Sequence, residues 1–230
     1  MLVGITQRVE TYQKLDETRD CLDQQWTKVL CEADIDFRLI PNSINNIDMW
    51  LEKNNFEGFI LTGGNDLSHL TDAKNVAPNR DETEKKILNW SYKNKSKVLG
   101  VCRGMQLINC FLSGSLSKVS GHAGTYHPIE ILSDKFNLNT NTTVNSYHNW
   151  GINKNDLAEN LIPLALAEDG TIEAVQHNKM PWLGIMWHPE RSLPKCGESD
   201  NLEYRNANKD LIRVIFVYKR NSLLSCQKRS

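Results

Sequence analysis

The sequence lacks the features that mark several common classes of protein. Its apolar runs are much shorter than the roughly 20 residues that a membrane-spanning helix needs. Its charge is nearly balanced, with 27 basic and 28 acidic residues and a formal net charge of −1. A basic surface for nucleic acid or lipid headgroups is therefore not indicated. We expect neither a nucleic-acid partner nor a membrane partner.

Paired cysteines are also missing. The six cysteines form no Cys-x-x-Cys pair and show no spacing typical of zinc ligands. Since no signal-peptide pattern accompanies them, this usage predicts a reducing, cytoplasmic location. A chain of 230 residues can bury a core without disulfides. Without repeats or low-complexity linkers, we expect one domain over residues 1–218 and a basic tail at 219–230.

The order of apolar patterns predicts an α/β fold. Buried strands and amphipathic helices alternate through the first half of the chain, and this alternation is typical of a parallel sheet with helices on both faces. A polar loop is expected at Gln7, Arg8 and Glu10, after the first strand. Further strands, two of them antiparallel at 171–176 and 182–186, follow before a closing helix. We therefore predict a single-domain, flavodoxin-like three-layer fold with a mostly parallel central sheet and a small antiparallel extension.

One stretch organises the rest of the chain. Residues 98–101 have the apolar pattern of a buried strand, and the residues from Met105 onward have the spacing of a helix. Cys102 stands where one becomes the other, and Gly100 and Gly104 allow a sharp turn there. This is the pattern of a nucleophile elbow, with cysteine in place of serine, and the helix N-terminus favours a thiolate. The alternative is that Cys102 serves only as a small, buried hydrophobic residue.

Two adjacent glycines, Gly63 and Gly64, follow the third predicted strand. Glycines at a strand end permit a turn that exposes backbone amides, and such amides could hold a developing oxyanion. An ordinary turn is the alternative.

His188 and Glu190 flank Pro189, directly after the last predicted strand. Proline makes this connection rigid, so the imidazole and the carboxylate are held two residues apart on one side. A carboxylate next to an imidazole is the base-and-orienter pair of a nucleophilic triad.

Other polar residues allow two interpretations each. Arg80 is either a solvated charge at a helix start or a group that binds a substrate carboxylate. The stretch 144–151 is either a structural turn or a pocket wall. His122 and His127 flank a glycine-containing loop, and a metal site would need further ligands at suitable spacing, none of which is evident. We therefore interpret these two histidines as loop residues and predict no metal.

The combined motifs carry a resemblance. Gly63-Gly64, then residues 100–106, then His188-Pro189-Glu190 resemble, in this order, the class I glutamine amidotransferase superfamily, over nearly the whole chain. The separation of Cys102 and His188, 188 − 102 = 86 residues, is similar to the usual interval of that superfamily. Residues 4–8, 79–81 and 144–148 resemble its stand-alone γ-glutamyl hydrolase branch, which includes γ-glutamyl-GABA hydrolases.

The resemblance implies roles for particular residues. Cys102 would be the nucleophile, His188 the base and then the acid, and Glu190 its orienter. The backbone amides of Gly64 and Arg103 would form the oxyanion hole. No metal or organic cofactor is implied. The residues implied around the γ-glutamyl moiety are Gly63, Arg80, Gln106, Ser146 and His148.

The function implied is that of a cysteine-dependent hydrolase. It would cleave a γ-glutamyl amide or phosphoramidate bond of a small molecule through a γ-glutamyl thioester and release glutamate, and a homodimer is compatible with this. The chain departs from the branch at Asn149-Trp150, where His-Gln is common, so Trp150 would either stack on a nucleobase or lie in the core. The alternatives are a glutaminase subunit that delivers ammonia to a separate synthetase chain, and a non-catalytic binder of γ-glutamyl ligands.

Overall fold

A computed structural model describes residues 1–133, 141–193 and 198–216 of the chain. The end of the predicted domain and the predicted tail, 217–230, lie outside the described residues. Within the described residues, no helix is both long enough and apolar enough to cross a membrane.

The helices are α1 (Gln24–Glu32), α2 (Ile47–Asn54), α3 (Pro78–Asn94), α4 (Arg103–Phe111) and α5 (Glu198–Phe216). The strands are β1 (Leu2–Thr6), β2 (Arg8–Tyr12), β3 (Glu17–Cys21), β4 (Asp36–Ile40), β5 (Gly58–Leu61), β6 (Lys97–Val101), β7 (Ser117–Lys118), β8 (Ala123–Ile131), β9 (Asn141–Tyr147), β10 (Trp150–Gly151), β11 (Leu161–Ala167), β12 (Ile172–His177) and β13 (Trp182–Ile185).

A parallel half-sheet forms the centre of the fold. Its strands lie in the order β4-β1-β5-β6-β13, and each neighbouring pair is parallel. One face packs against α1 and α5 through residues such as Trp26 and Phe216, and the other packs against α2, α3 and α4 through residues such as Leu51, Ile87 and Met105. This arrangement confirms the predicted three-layer α/β fold. It also places the carboxyl ends of β5, β6 and β13 next to one another, where an open α/β sheet binds its ligands.

The antiparallel extension is larger than the sequence predicted. It continues the sheet in the order β13-β12-β11-β8-β9. The predicted antiparallel pair, now β12 and β13, is confirmed, but β11 was not predicted. Pro163 stands inside β11, where the pairing register with β12 shifts. A proline inside an apolar run argues against a strand in sequence-based prediction, which is why β11 was missed.

The polar loop predicted at Gln7, Arg8 and Glu10 is wrong. The chain forms a hairpin there, in which β2 and β3 pair antiparallel from Arg8↔Cys21 to Tyr12↔Glu17. Both strands are largely exposed, so they lack the alternation of apolar and polar residues by which half-buried strands are recognised. Helix α1 begins directly after this hairpin, following Asp23, whose side chain accepts a hydrogen bond from the Gln25 amide.

The sharp turn between β6 and α4 is confirmed. Cys102 adopts φ 51° and ψ −107°, a conformation rare for a residue with a side chain. A Cβ atom at Gly100 would lie 2.7 Å from the Gly104 backbone, and one at Gly104 would overlap the Leu61 carbonyl oxygen. The helix can therefore approach the ends of β5 and β6 only because both positions are glycine.

We predict that Gly104→Ala destabilises the protein by about 3 kcal/mol, because the new methyl group must displace the backbone of β5. Gly170→Ala is the matched control, since Gly170 has φ +84° but open space around its Cα. Its expected cost is about 1–2 kcal/mol, from backbone strain alone. Urea unfolding of both variants tests this, and equal losses would contradict the close approach described here.

Candidate active site

The three residues of the predicted triad come from two strand ends and meet at one place. His188 Nδ1 lies 2.7 Å from Glu190 Oε1, and both side chains are buried. A Cβ atom added at Gly63 would lie 2.6 Å from His188 Cε1 and 3.4 Å from Cys102 Cβ. The elbow cysteine, the imidazole and the glycine loop after β5 are therefore in mutual contact.

The charge state of His188 is set by its neighbours. Burial by itself lowers the pKa of His188, but the Glu190 carboxylate and a hydrogen bond with the Cys102 side chain outweigh it and raise the pKa to about 10. The imidazole is therefore protonated at neutral pH. An imidazolium beside a sulfur favours the thiolate form of that sulfur, which is the nucleophilic form.

Arg80 lies beneath the glycine loop and is fully buried. Its guanidinium donates to the carbonyl oxygens of Thr62, Gly63 and Gly64 at 2.6, 3.0 and 2.5 Å. These bonds turn the loop carbonyls inward, and Gly64 adopts φ +80°. Burial lowers the pKa of Arg80 to about 10, so it stays charged at neutral pH. This placement favours positioning of the loop over the direct contact with a substrate carboxylate that was predicted for Arg80.

A buried ionic network joins that loop to helix α4. Glu84 accepts hydrogen bonds from Arg80 Nε at 3.0 Å and from Thr6 Oγ1 at 2.6 Å. Its other oxygen is paired with Arg103, which also pairs with Asp81. Although burial alone would raise the pKa of Glu84, Arg103 and Arg80 hold it below its ordinary value. The side chain of Arg103 thus anchors the start of α4, while its backbone amide is the one predicted for the oxyanion hole.

Asn145 holds the backbone of His188 and was not among the predicted site residues. Its Oδ1 accepts from the His188 amide at 2.8 Å, and its Nδ2 donates to the His188 carbonyl at 2.9 Å. Two residues along β9, the ring of Tyr147 lies edge-on to the His188 ring, with centroids 5.5 Å apart. The sequence signal was the polar run at 144–151, in which Asn145 and Tyr147 share one strand face.

Ser146 and His148 are grouped differently from the prediction. Ser146 Oγ donates to the His122 carbonyl at 2.6 Å, and His148 Nδ1 lies 3.0 Å from the Trp150 carbonyl. Gln106 Nε2 donates to that same carbonyl at 2.8 Å. Ser146 Oγ, His148 Nδ1 and Gln106 Nε2 are thus engaged with the protein backbone, and Ser146 lies on the face of β9 opposite Asn145. Trp150 is half-buried, with the Lys118 ammonium 5.6 Å from its ring centroid, so it is not a core residue.

A cleft opens beside the candidate triad. It encloses about 300 Å³, including its open mouth, and Gly63, Gly64, His188 and Glu190 form one wall. The unpredicted β2–β3 hairpin and the start of α1 also line it. The remaining lining residues are Arg8, Cys21, Leu22, Asp23, Trp26, Thr62 and Arg191.

The interpretation of His127 as a loop residue is wrong, whereas His122 does lie in the loop before β8. His127 lies within β8, and the two imidazoles converge with His148 and Glu173 on one point in the antiparallel half of the sheet. Sequence spacing could not show this group, because its members come from the ends or interiors of three different strands.

Comparison with known proteins agrees with this architecture. The chain is 37% identical to γ-glutamyl-CDP-amidate hydrolase of Campylobacter jejuni over 193 residues, covering 83% of this chain and 90% of the relative. It is 32% identical to a putative glutamine amidotransferase-like protein of Lactococcus lactis over 57% of this chain and 64% of that protein.

Solved structures show the same fold. A glutamine amidotransferase from Thermotoga maritima superposes with a TM-score of 0.66 at 15% identity, covering 93% of this chain and 95% of that chain. A putative GMP synthase protein from Thermoplasma acidophilum gives 0.67 at 17% identity, covering 94% and 92%. The family model for Peptidase C26 matches residues 1–190. The chain therefore belongs to the Peptidase C26 family, with the class I glutamine amidotransferase-like fold.

Proposed function

We propose that this protein is a cysteine-dependent hydrolase that cleaves γ-glutamyl amides or phosphoramidates and releases glutamate. The observation that carries the proposal is the strained Cys102 elbow beside His188, whose Nδ1 is bonded to Glu190. Family membership and the name of the Campylobacter jejuni relative support the same reaction class.

In the first step, the Cys102 sulfur attacks the γ-carbonyl carbon, and a C–S bond forms. The backbone amides of Gly64 and Arg103 stabilise the resulting oxyanion, and each donor of this kind lowers the barrier by about 3–4 kcal/mol. His188 gives its proton to the departing nitrogen as the C–N bond breaks. The products are the free amine or phosphoramidate and a γ-glutamyl thioester on Cys102.

In the second step, water attacks the thioester carbon. His188, now neutral, takes a proton from the water, and the amides of Gly64 and Arg103 again hold the oxyanion. The C–S bond breaks, which restores the sulfur and the imidazolium and releases glutamate. Glu190, bonded to Nδ1, keeps the His188 ring in one orientation throughout.

The leaving group we propose is a nucleoside diphosphoramidate, whose nitrogen links its phosphorus to the γ-carbonyl carbon. Arg8 and Arg191 both line the cleft, and both side chains are partly exposed. Guanidinium groups bind phosphate oxygens by paired, charge-assisted hydrogen bonds. The relative's name, which specifies a γ-glutamyl-CDP-amidate, supports this substrate class.

Cys102→Ala tests the nucleophile. We expect glutamate release to fall at least about 10³-fold, with an unchanged circular-dichroism spectrum. Cys110→Ala is the control, because Cys110 lies on the same helix and burial raises the pKa of its thiol to about 11. A γ-glutamyl chloromethyl ketone should add one mass equivalent to the wild type and to Cys110→Ala, but not to Cys102→Ala. Full turnover by Cys102→Ala would contradict the mechanism.

The pH profile tests the pairing of His188 with Glu190. The pKa of His188 is raised from 6.5 to about 10, so the proton needed for the leaving group is present at neutral pH and is lost as pH rises through 10. In Glu190→Gln the attraction of the carboxylate is gone and burial still lowers the pKa. The alkaline limb of kcat/KM should therefore move to lower pH by about 1–3 pH units.

Glu17→Gln is the control for that profile, since Glu17 is an exposed carboxylate on the β2–β3 hairpin. Its alkaline limb should coincide with that of the wild type. An unshifted limb in Glu190→Gln would show that another group sets it.

Matched substrates test the leaving group. We expect Arg8→Gln to raise KM about tenfold for a γ-glutamyl nucleoside diphosphoramidate, but not for γ-glutamyl anilide, because only the former has phosphate oxygens. Arg19→Gln, on the same hairpin and paired with Glu17, is the control. An equal rise for both substrates would place Arg8 at the glutamyl end, and glutamine hydrolysed as efficiently as the nucleotide would favour an ammonia-producing subunit.

A further inference from the structure

Three histidines and one glutamate converge within the antiparallel half of the sheet, in a group distinct from the candidate triad. Each residue offers one ligand atom, and these atoms all lie within 4.8 Å of one another. Glu173 projects from β12 and His127 from β8, while His122 precedes β8 and His148 follows β9. The sheet itself therefore brings the four side chains together.

The hydrogen bonds of the three imidazoles fix which nitrogen is free. His122 Nε2 lies 3.0 Å from Asp169 Oδ2, His127 Nδ1 lies 3.2 Å from the Pro128 carbonyl, and His148 Nδ1 lies 3.0 Å from the Trp150 carbonyl. Carbonyl and carboxylate oxygens only accept, so each of these nitrogens carries the hydrogen that it donates. The opposite nitrogen of each ring points into the group, where it can coordinate a metal ion once it carries no proton. Metal-binding histidines are oriented by partners of this kind.

The converging atoms make no hydrogen bond of good geometry, although the rings lie close to the Glu173 carboxylate. Within the described part of the chain, the buried side-chain atoms that lack a hydrogen bond include His122 Nδ1, His127 Nε2, His148 Nε2 and both carboxylate oxygens of Glu173. Glu173 is 0% exposed, and His122 and His148 are 5% and 3% exposed. A buried, unpaired carboxylate is costly unless a cation neutralises it. Four such atoms, one from each residue, lie within 4.8 Å of one another, which indicates a bound cation.

The spacing of these atoms fits a tetrahedral metal centre. The three free nitrogens lie 3.4, 4.0 and 3.6 Å from Glu173 Oε1, for His122, His127 and His148 respectively. Metal–ligand bonds of about 2.0–2.2 Å in a tetrahedron separate the ligand atoms by roughly 3.3–3.6 Å. The nitrogen–oxygen separations are thus close to that geometry, and since all four atoms lie within 4.8 Å of one another, small movements of the side chains would bring them around one ion.

We propose that His122, His127, His148 and Glu173 bind one Zn²⁺ ion in a closed, structural site. Imidazole nitrogens with one carboxylate in a four-coordinate arrangement suit zinc, and four protein ligands leave no position open for a reacting water. The ion would tie the ends of β8 and β9 to β12. Through His148, which directly follows β9, the ion would hold β9 in place. The strand face that carries Asn145 and Tyr147 would then stay packed against His188, without contact between the metal and the substrate.

Zinc affinity of the full-length chain tests the proposal by competition with a chromophoric chelator. The Cys102→Ala background removes the reactive thiol from the measurement. We expect one Zn²⁺ per chain and a higher thermal unfolding midpoint with Zn²⁺ than after chelation. Co²⁺ in place of Zn²⁺ should give the intense visible absorption of a four-coordinate ion.

The variants separate the site from chance binding. His127→Ala and the isosteric Glu173→Gln should each lose more affinity than Asp169→Ala, which removes only the partner of His122 and should cost about 10- to 100-fold. Because Asp169 is half-exposed, we expect Asp169→Ala to fold. It therefore still tests zinc affinity if a variant of one of the four ligands does not fold. His69→Ala, which removes an exposed histidine elsewhere, should bind as the wild type does.

Three results would overturn the proposal. They are equal zinc affinity in all variants, the absence of tight binding by the wild type, and the absorption of six-coordinate Co²⁺. The proposal would also be overturned if the thermal unfolding midpoint did not change with zinc but changed with pH as these histidines are protonated. The group would then be an imidazolium–carboxylate cluster without a metal. Each readout is independent of glutamate release, so the outcome does not depend on the proposed function.

Discussion

The geometry of the candidate site depends on one buried carboxylate, that of Glu84. It pairs with Arg80, which holds the carbonyls of the loop after β5, and with Arg103, which begins the helix after Cys102. With Asp81, the network holds two positive and two negative charges and is neutral. Removing one member of such a buried set leaves an uncompensated charge and costs about 3–5 kcal/mol. The network therefore fixes how the loop and the helix meet.

The fixed contact between the loop after β5 and helix α4 allows the strained conformation of Cys102. A residue held in a sparsely populated region of φ and ψ costs about 1–3 kcal/mol, and it persists only where its surroundings allow no other conformation. Here the backbone of β5 packs directly against Gly104, and Arg103 is fixed by its ion pairs with Asp81 and Glu84. The cysteine is thus presented at the end of the sheet by residues that need not touch the substrate.

Local patterns predicted the elbow and the His188–Glu190 pair, because both lie within a few residues of the chain and each has a distinctive composition. The β2–β3 hairpin was not predictable from burial patterns, since both strands are exposed. Asn145 and Glu173 were missed for a different reason. Their roles depend on which residues face each other across antiparallel strands, and that register is set by long-range pairing that no short stretch of sequence encodes.

The alternation of side chains along β9 links the two parts of the molecule. Asn145 and Tyr147 contact His188 on one face, while Ser146 bonds to the His122 carbonyl on the other. A one-residue slip of β9 would exchange these faces and disrupt both groups at once. A strand whose two faces are both committed to polar partners has little freedom to shift. The register that positions the imidazole is therefore the same register that assembles the histidine cluster, so anything that stabilises the cluster also stabilises the placement of His188.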